Sequence, residues 1–537
     1  MSKPATSEGA AQRRLGADLL GPIFHEFYHR LWLYQHAFAT RDAVTLFVAR
    51  GGLRLQYGYE CFLARHRLAP PVPFRSVYLS RLAAAKGTLA ANPTEVIPRI
   101  VREFARGDLA ELLRCVAPEV VAGRDISAWL GQPAARLEQL YLSATDEFGA
   151  ELRRYFAEQG KLLADYLAQV APGTGAILLV DTGWEGSTQA LLMQVYPQRE
   201  WFGLYFGRWN HRGNLPAHFG SVVGVAVDSM LQTPEDPRSS IFEYHHLIEG
   251  PLEVGMPSVT GFVRGHDGRA APDSGYAEAE WLAPQPGENL WAGIIDYLES
   301  AAVKLDPASV ARRARFGYRA LARAIRRPSA RMVDLLGVAQ RSEDFGRAGA
   351  NSILRPTVCG STAEKVRNCQ WALWRQGQVR REFGARASLY FWGEAWRRQR
   401  ARWAAGLRRL GIASGAAPRP TSVGNGTADP VLLDLCRRVR RGVLRHRLNG
   451  AHQVAVFGAS PYGDAIVDLL RAEGVPPSCF YDNSEAKVGT VRHGLPVRKP
   501  QADGGIHVFV ITSIAGREAI GRQLTQLHGA RAIVLLP

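Results

Sequence analysis

The chain has 537 residues with 46% hydrophobic content, which is too long for one hydrophobic core and ordinary for a globular protein of two or three domains. Lysine and arginine number 66 against 49 acidic residues, a net charge of +17. That balance suits a polyphosphate donor or an anionic lipid surface, and no DNA or RNA module accompanies it, so a nucleic-acid binder is not expected. The six cysteines are scattered without a CxxC pair, against a disulfide framework or a structural zinc site. No apolar run reaches membrane-spanning length and the start lacks a signal-peptide pattern, so a cytoplasmic protein is expected, at most peripheral to the inner membrane.

In chain order, residues 1–14 read as a disordered tail. Leu15 to about Ala39 reads as an aromatic-rich amphipathic helix. Ala43–Ala49 is the first strand, ending at Arg50-Gly51-Gly52 and leading into a helix through Leu68. Phe74–Leu79 is the second strand, followed by Ser80-Arg81 and roughly ninety residues of helical pattern. The run Ala176-Ile-Leu-Leu-Val-Asp181 is a buried strand capped by an acid, and the turn Thr182-Gly183-Trp184-Glu185-Gly186-Ser187-Thr188 opens an apolar-periodic helix. Strands at Trp201–Phe206 and Gly220–Val227 complete an α/β pattern with a mainly parallel sheet. The expected organisation is an α/β domain over 15–290, a helical basic region over 291–410, a linker over 411–430 rich in small residues and proline, and a Rossmann-like α/β domain over 431–537. The basic region interleaves Trp371, Trp374, Trp392, Trp396 and Trp403 with arginines. It reads as a solvated helical face with its aromatic residues turned into a core, with docking on an anionic membrane as the alternative.

The chemistry concentrates where strands end. A strand that feeds a Gly/Ser/Thr turn into a helix N-terminus leaves backbone N–H groups and the positive dipole end facing an anion. Gly183, Gly186, Ser187 and Thr188 are therefore expected to hold a phosphoryl group, and Asp181 to hold hydroxyls or a metal. In Arg50-Gly51-Gly52 the glycines allow amides to point at a pyrophosphate while the arginine adds charge. Ser80 and Arg81 offer another hydroxyl and cation. In an open parallel sheet all three loops gather at the carboxyl edge.

These loops resemble the donor site of type I phosphoribosyltransferases, with Thr182 where that family places a second successive acid. A closer resemblance over residues 15–260 is to a bacterial polysaccharide-biosynthesis family. It is carried by Leu20–Phe24, Phe47–Gly52, Tyr78–Arg81, Asp181–Ser187, Phe242-Glu243-Tyr244 and Glu249-Gly250. Gly51 replaces the aspartate common in its first loop. The resemblance implies a phosphoribosyltransferase-like fold. The implied activity moves 5-phosphoribose from phosphoribosyl pyrophosphate to a glycan or lipid-linked glycan, with Mg2+ as cofactor and Asp181 as its ligand. Asp181, Glu185 and Glu243 are the implied catalytic acids, with Glu249 a further candidate base. Arg50, Gly51, Gly52, Ser80, Arg81, Thr182, Gly183, Gly186, Ser187 and Thr188 are the implied donor contacts. Family members often carry a haloacid-dehalogenase-type phosphatase ahead of this region. Here its Asp-x-Asp start is missing before residue 15, so a separate phosphatase partner is expected.

Near the C-terminus, strand His452–Phe457, the turn Gly458–Gly463, a helix, and a strand ending at Asp482 form a Rossmann-type arrangement. Gly458, Gly463 and Asp482 are its candidate nucleotide contacts. Two alternatives stay open: a nucleotide- or NAD-binding oxidoreductase or epimerase-like protein, and a non-catalytic scaffold of a glycan-assembly complex. Oligomeric state is not legible.

Overall fold

The fold is given by a computed structural model, which describes residues 7–104, 107–143, 145–210, 216–274, 279–337, 340–342, 350–358, 360–396, 439, 453–472, 474–501, 508–512, 517–528 and 533–535. The chain divides into two compact units, Met1–Ser422 and Val423–Pro537, a division that falls within the expected 411–430 linker, itself outside the described residues. Among the described residues no helix is long and apolar enough to cross a membrane.

The first unit is built on a parallel sheet of β1 (Ala43–Val48), β2 (Phe74–Val77), β3 (Ala176–Val180), β4 (Gly183–Trp184), β5 (Glu200–Arg208) and β6 (Val222–Asp228). β2 pairs with β1, β1 with β3, and β3 with β5; β4 also pairs with β5, and β6 pairs with β5 as well. β4 is the continuation of β3 after the Asp181-Thr182 step. Phe206 N–H donates to Asp181 O, Gly207 N–H to Thr182 O and Trp209 N–H to Trp184 O, so the chain resumes along β5.

Both faces of the sheet are covered, which explains why β1 and β3 are continuous apolar runs. Val44, Leu46, Val48, Ile177 and Leu179 join one core with helices Arg81–Leu89, Glu147–Val170 and Ser187–Val195. Phe47, Leu178, Val180, Leu204 and Phe206 join the other, with helices Gly21–His36, Gly51–His66, Asn289–Glu299 and Pro307–Arg326. Within it Gln35 donates to Thr45 Oγ1 at 2.9 Å and accepts from Tyr59 Oη at 2.5 Å.

Two expectations need correction. The boundary at residue 290 does not separate compact bodies. Trp291, Tyr318, Leu321, Ile325 and Trp374 lie in the same core as β3, and Trp374 stacks on Tyr244 with ring centroids 4.5 Å apart. The arginine-rich helices owe their place to this apolar stripe, and their charges cover its outer side. The N-terminal tail is not wholly irregular either. Ser7–Leu15 is a helix whose Arg13 makes a bidentate pair with Asp296, and Gly293 admits it because a Cβ there would come within 1.9 Å of Arg13 O. Trp371 and Trp392 are exposed, whereas Trp403 lies outside the described residues.

The carboxyl end of the sheet is tied by a buried ion pair. Asp228, 1% exposed, takes Arg208 Nε and Nη2 at 2.9 and 2.8 Å and also accepts from Gly224 and Met230 N–H. Gly224 sits at a bulge between β5 and β6, where a Cβ would meet Val227 O at 2.1 Å.

The second unit has strands 491–492, 495–498, 479–481, 454–457, 508–511 and 533–535 in that spatial order. The first pair is antiparallel and the others parallel. Val454 and Val456 face a core with Ile466, Val467 and Leu470 of helix Pro461–Ala472, while Ala455 and Phe457 face Ile520 and Leu524 of helix Arg517–His528.

Two outcomes are expected for the first unit. Asp228→Ala strands Arg208 and lowers stability by about 3–5 kcal/mol, read as a shift in the urea midpoint; a shift below half a kcal/mol would contradict this. His25 is buried with its Nε2 2.9 Å from His66 Nε2. Burial first, then the fields of His66, His29 and Arg313, push its pKa from 6.5 down to about 3. The unfolded chain therefore binds a proton below pH 6.5 that the folded chain refuses until about pH 3. Stability accordingly falls as pH drops through that window. His25→Gln is expected to flatten the slope of midpoint against pH between 6.5 and 4, and an unchanged slope would remove His25 as its source.

Candidate functional site

The parallel pairing places three strand-to-helix loops at one edge. Phe47 is level with Val180 and Val48 with Val77, so Arg50, Tyr78 and Asp181 leave the sheet side by side. The first and third loops touch: a Cβ on Gly51 would lie 3.1 Å from Thr182 Cγ2 and 3.7 Å from Asp181 Oδ1. Gly52 is packed still closer, with 2.9 Å from such a Cβ to Val180 O. The Ala49–Arg50 peptide bond is cis.

The third loop has a floor. Gly183 (φ +90°) lies over Tyr205, whose own Cβ would sit 2.3 Å from an added methyl, and Gly186 (φ +63°) lies 3.0 Å from Tyr205 Cε2 by the same measure. Only glycine takes these left-handed positions against a ring without strain. Tyr205 Oη donates to Gln189 Oε1 and Gln189 Nε2 donates to Ser221 Oγ, so helix Ser187–Val195 is pinned to β5. Burial and then Asp181 push the Tyr205 phenol well above its ordinary value, keeping it a neutral donor. Gly186 is the N-cap and lends no side-chain cap, so the first amides of this helix have no intrahelical acceptor. Asp181 Oδ1 accepts from Thr182 N–H at 2.7 Å and from Thr182 Oγ1 at 3.3 Å. Glu185 enters through its carbonyl, which accepts from the His218 ring at 2.7 Å. Burial lowers the His218 pKa.

Other expected contacts are employed elsewhere. Arg50 pairs with Glu253 at 2.8 Å and donates to Met256 O. Ser80 caps helix Arg81–Leu89 by accepting from Ala83 N–H, and donates to Val259 O. Segment 253–259 is therefore strapped across the first two loops, with Val254 and Met256 packed on Leu53. Buried Arg54 reinforces the strap through Pro251 O and Glu288. Arg81 Nη1 lies 3.8 Å from Glu103 Oε1. Glu243 is not in the loop cluster: its carboxylate takes Arg326 Nε at 2.6 Å and Gln376 Nε2 at 3.1 Å, joining three helices.

Glu249 is brought in instead. Trp184 Nε1 of the third loop donates to Glu249 Oε1 at 2.8 Å, while Glu249 Oε2 lies 3.1 Å from His246 Nδ1 and 3.9 Å from His245 Nε2. Sequence reasoning missed both histidines. The available signal was their spacing, since positions 245 and 249 share a face over one helical turn.

In the second unit Gly458 (φ +112°) turns the chain, and a Cβ on Gly463 would reach Gly458 O at 2.2 Å, so that glycine lets the helix start against the strand. Asp482 accepts from Ala459 and Ser484 N–H and from Lys487 Nζ. Burial opposes its charge, but these three donors outweigh burial and hold its pKa below the ordinary carboxylate value. A cavity of about 290 Å³ lies among Ala17, Pro22, Tyr297, Arg312 and Phe316 and shares no residue with either loop cluster.

Comparison of the chain with protein-family models and with curated proteins finds no match.

Trp184→Phe, which removes the indole donor at a non-glycine φ of +75°, is expected to cost about 1.5–3 kcal/mol, because the acceptor is an ionised carboxylate. Hydrogen exchange at residues 182–186 should quicken in the same variant; protection equal to wild type would show that the indole does not hold the loop.

Proposed function

We propose that the first unit is a Mg2+-dependent phosphoribosyltransferase that moves 5-phosphoribose from phosphoribosyl pyrophosphate to a glycan hydroxyl. The observation that carries this reading is the contact between the Gly51 turn and the Asp181–Thr188 loop at the carboxyl edge of a parallel sheet. One loop is a glycine turn, the other an acid followed by an uncapped helix start, and the two adjoin. A donor with phosphoryl groups at both ends of a hydroxyl-bearing ring suits that pair.

The residues fit the group they would hold. The glycines at 51, 183 and 186 let the two loops lie close against Thr182 and Tyr205, where a Cβ would press on protein, and Asp181 supplies a hard oxygen donor beside them. In this reading the amides of Gly186, Ser187 and Thr188 hold the 5-phosphate, and those of Gly51 and Gly52 hold the pyrophosphate. Asp181 would hold the ribose hydroxyls and Mg2+, and the ion when bound would supply positive charge to the pyrophosphate. Arg50, engaged by Glu253, contributes by fixing the strap. The bond from the anomeric carbon to pyrophosphate breaks with its electron pair leaving on pyrophosphate. The acceptor oxygen then bonds that carbon, and its proton passes to a base or solvent. Asp181 lowers the barrier by facing the cationic ring with a preorganised negative charge. Glu243 is poorly disposed as the base because Arg326 and Gln376 occupy it, whereas Glu249 adjoins the loop. The glycan acceptor, a separate phosphatase and work at the membrane periphery rest on the sequence resemblance alone.

A second reading is favoured for the C-terminal unit. Its parallel strands run third, second, first, fourth, fifth in space, the order of doubly wound dinucleotide-binding sheets, and Gly463 fills the role of the packing glycine. Because Asp482 is committed to Ala459 N–H, a nucleotide or an interaction partner fits this Rossmann-like unit better than ribose-directed NAD binding.

Calorimetric titration with phosphoribosyl pyrophosphate and Mg2+ should give one site on the full chain. Asp181→Asn is expected to slow pyrophosphate release by about 10²–10³-fold. Wild-type turnover in that variant, or no donor binding by the intact protein, would defeat the reading.

A further inference from the structure

Beside the proposed donor loops lies a second constellation. His245 is the N-cap residue of helix His246–Leu252 and Glu249 stands one turn on. The carboxylate and the two imidazoles thus converge from a single turn of backbone. One ligand atom from each of His245, His246 and Glu249 lies within 4.8 Å of the other two. A metal held at about 2.0–2.2 Å from nitrogen and oxygen donors sets neighbouring donors roughly 3–3.5 Å apart. The separations of 3.1 and 3.9 Å from Glu249 Oε2 to His246 and His245 therefore need only small side-chain rotations.

Exposure favours a site over a filler. The three side chains are 25%, 13% and 13% exposed, sheltered enough to be ordered and open enough for an ion to enter. The outer shell is already assembled. Trp184 Nε1 donates to Glu249 Oε1, which turns Oε2 toward the imidazoles. The His245 ring is held edge-on by Trp184 and Trp209, at centroid distances of 5.3 and 5.7 Å. Donors that orient a ligating carboxylate in this way are the usual companions of metal ligands.

We propose that His245, His246 and Glu249 bind one divalent transition-metal ion of the zinc, cobalt or manganese class. Two imidazoles and a carboxylate select such ions over magnesium, which prefers an all-oxygen shell. Three protein ligands leave coordination positions open, the pattern of a site that binds and polarises an oxygen ligand rather than one that only braces the fold. Through Trp184 the ion is linked to the Asp181 loop, so metal occupancy and loop order rise together.

The test uses full-length protein, stripped with chelator and titrated with Co2+ alone. One equivalent is expected to bind with visible d–d absorption. Glu249→Gln and the double variant His245→Gln/His246→Gln should each lose that band, and Trp184→Phe should weaken binding about 10–100-fold. Absence of the band in wild type, or its persistence in both ligand variants, overturns the assignment. Should a variant fail to fold by circular dichroism, X-ray absorption of the Co2+-loaded wild type decides instead: two imidazoles support the site, and fewer overturn it. Donor binding is read in its own titration, so failure of the phosphoribosyltransferase reading leaves this result standing.

Discussion

The parallel pairing of β1 with β2 and β3 is the constraint on which the first unit depends. A parallel ladder has one direction, so every strand discharges its chain at the same edge, and each connection must return over a face of the sheet. That requirement buries both faces, which is why β1 and β3 consist almost wholly of aliphatic and aromatic side chains. It also brings polar loops from distant parts of the sequence, near residues 50, 80 and 181, into one neighbourhood.

Glycine then decides what that neighbourhood can hold. Between β3 and β4 the chain leaves regular geometry for two residues and resumes pairing with β5, passing over the Tyr205 ring. Side chains at 183 or 186 would collide with that ring, and a side chain at 51 would press against Thr182. The bend therefore lies tight against protein on that side, with Asp181 at its start. The strap of residues 253–259 limits the arrangement from the other side, committing the Arg50 guanidinium and the Ser80 hydroxyl to holding protein rather than ligand.

A different logic governs the helices after residue 290. Their charges read as a solvated face with aromatic residues turned inward, and Trp291, Tyr318 and Trp374 are wholly or almost wholly buried. An amphipathic helix hides its identity in composition, because the arginines that dominate the count sit on the outer face while a narrow apolar stripe determines where the helix docks. The family resemblance casts Glu243 as a catalytic acid, whereas in the fold it is the hub between Arg326 and Gln376, both more than eighty positions away.

Local signals carried the strands, the strand-end loops and the two α/β patterns, since apolar runs, left-handed glycines and helix starts are properties of a few consecutive residues. The Asp181 bend and the Gly458 turn were legible for that reason, whereas Gly463, expected as a nucleotide contact, is shown by the fold to be packed against Gly458 O. The tertiary structure alone decided which polar side chains are committed internally and which converge. It sent Arg50 to Glu253, Asp482 to Ala459 and Glu243 to Arg326, and it joined Trp184 to Glu249. Such pairings depend on the register of strands and the docking of helices far apart along the chain. No short window of sequence contains the distance between two side chains that only a shared core brings together.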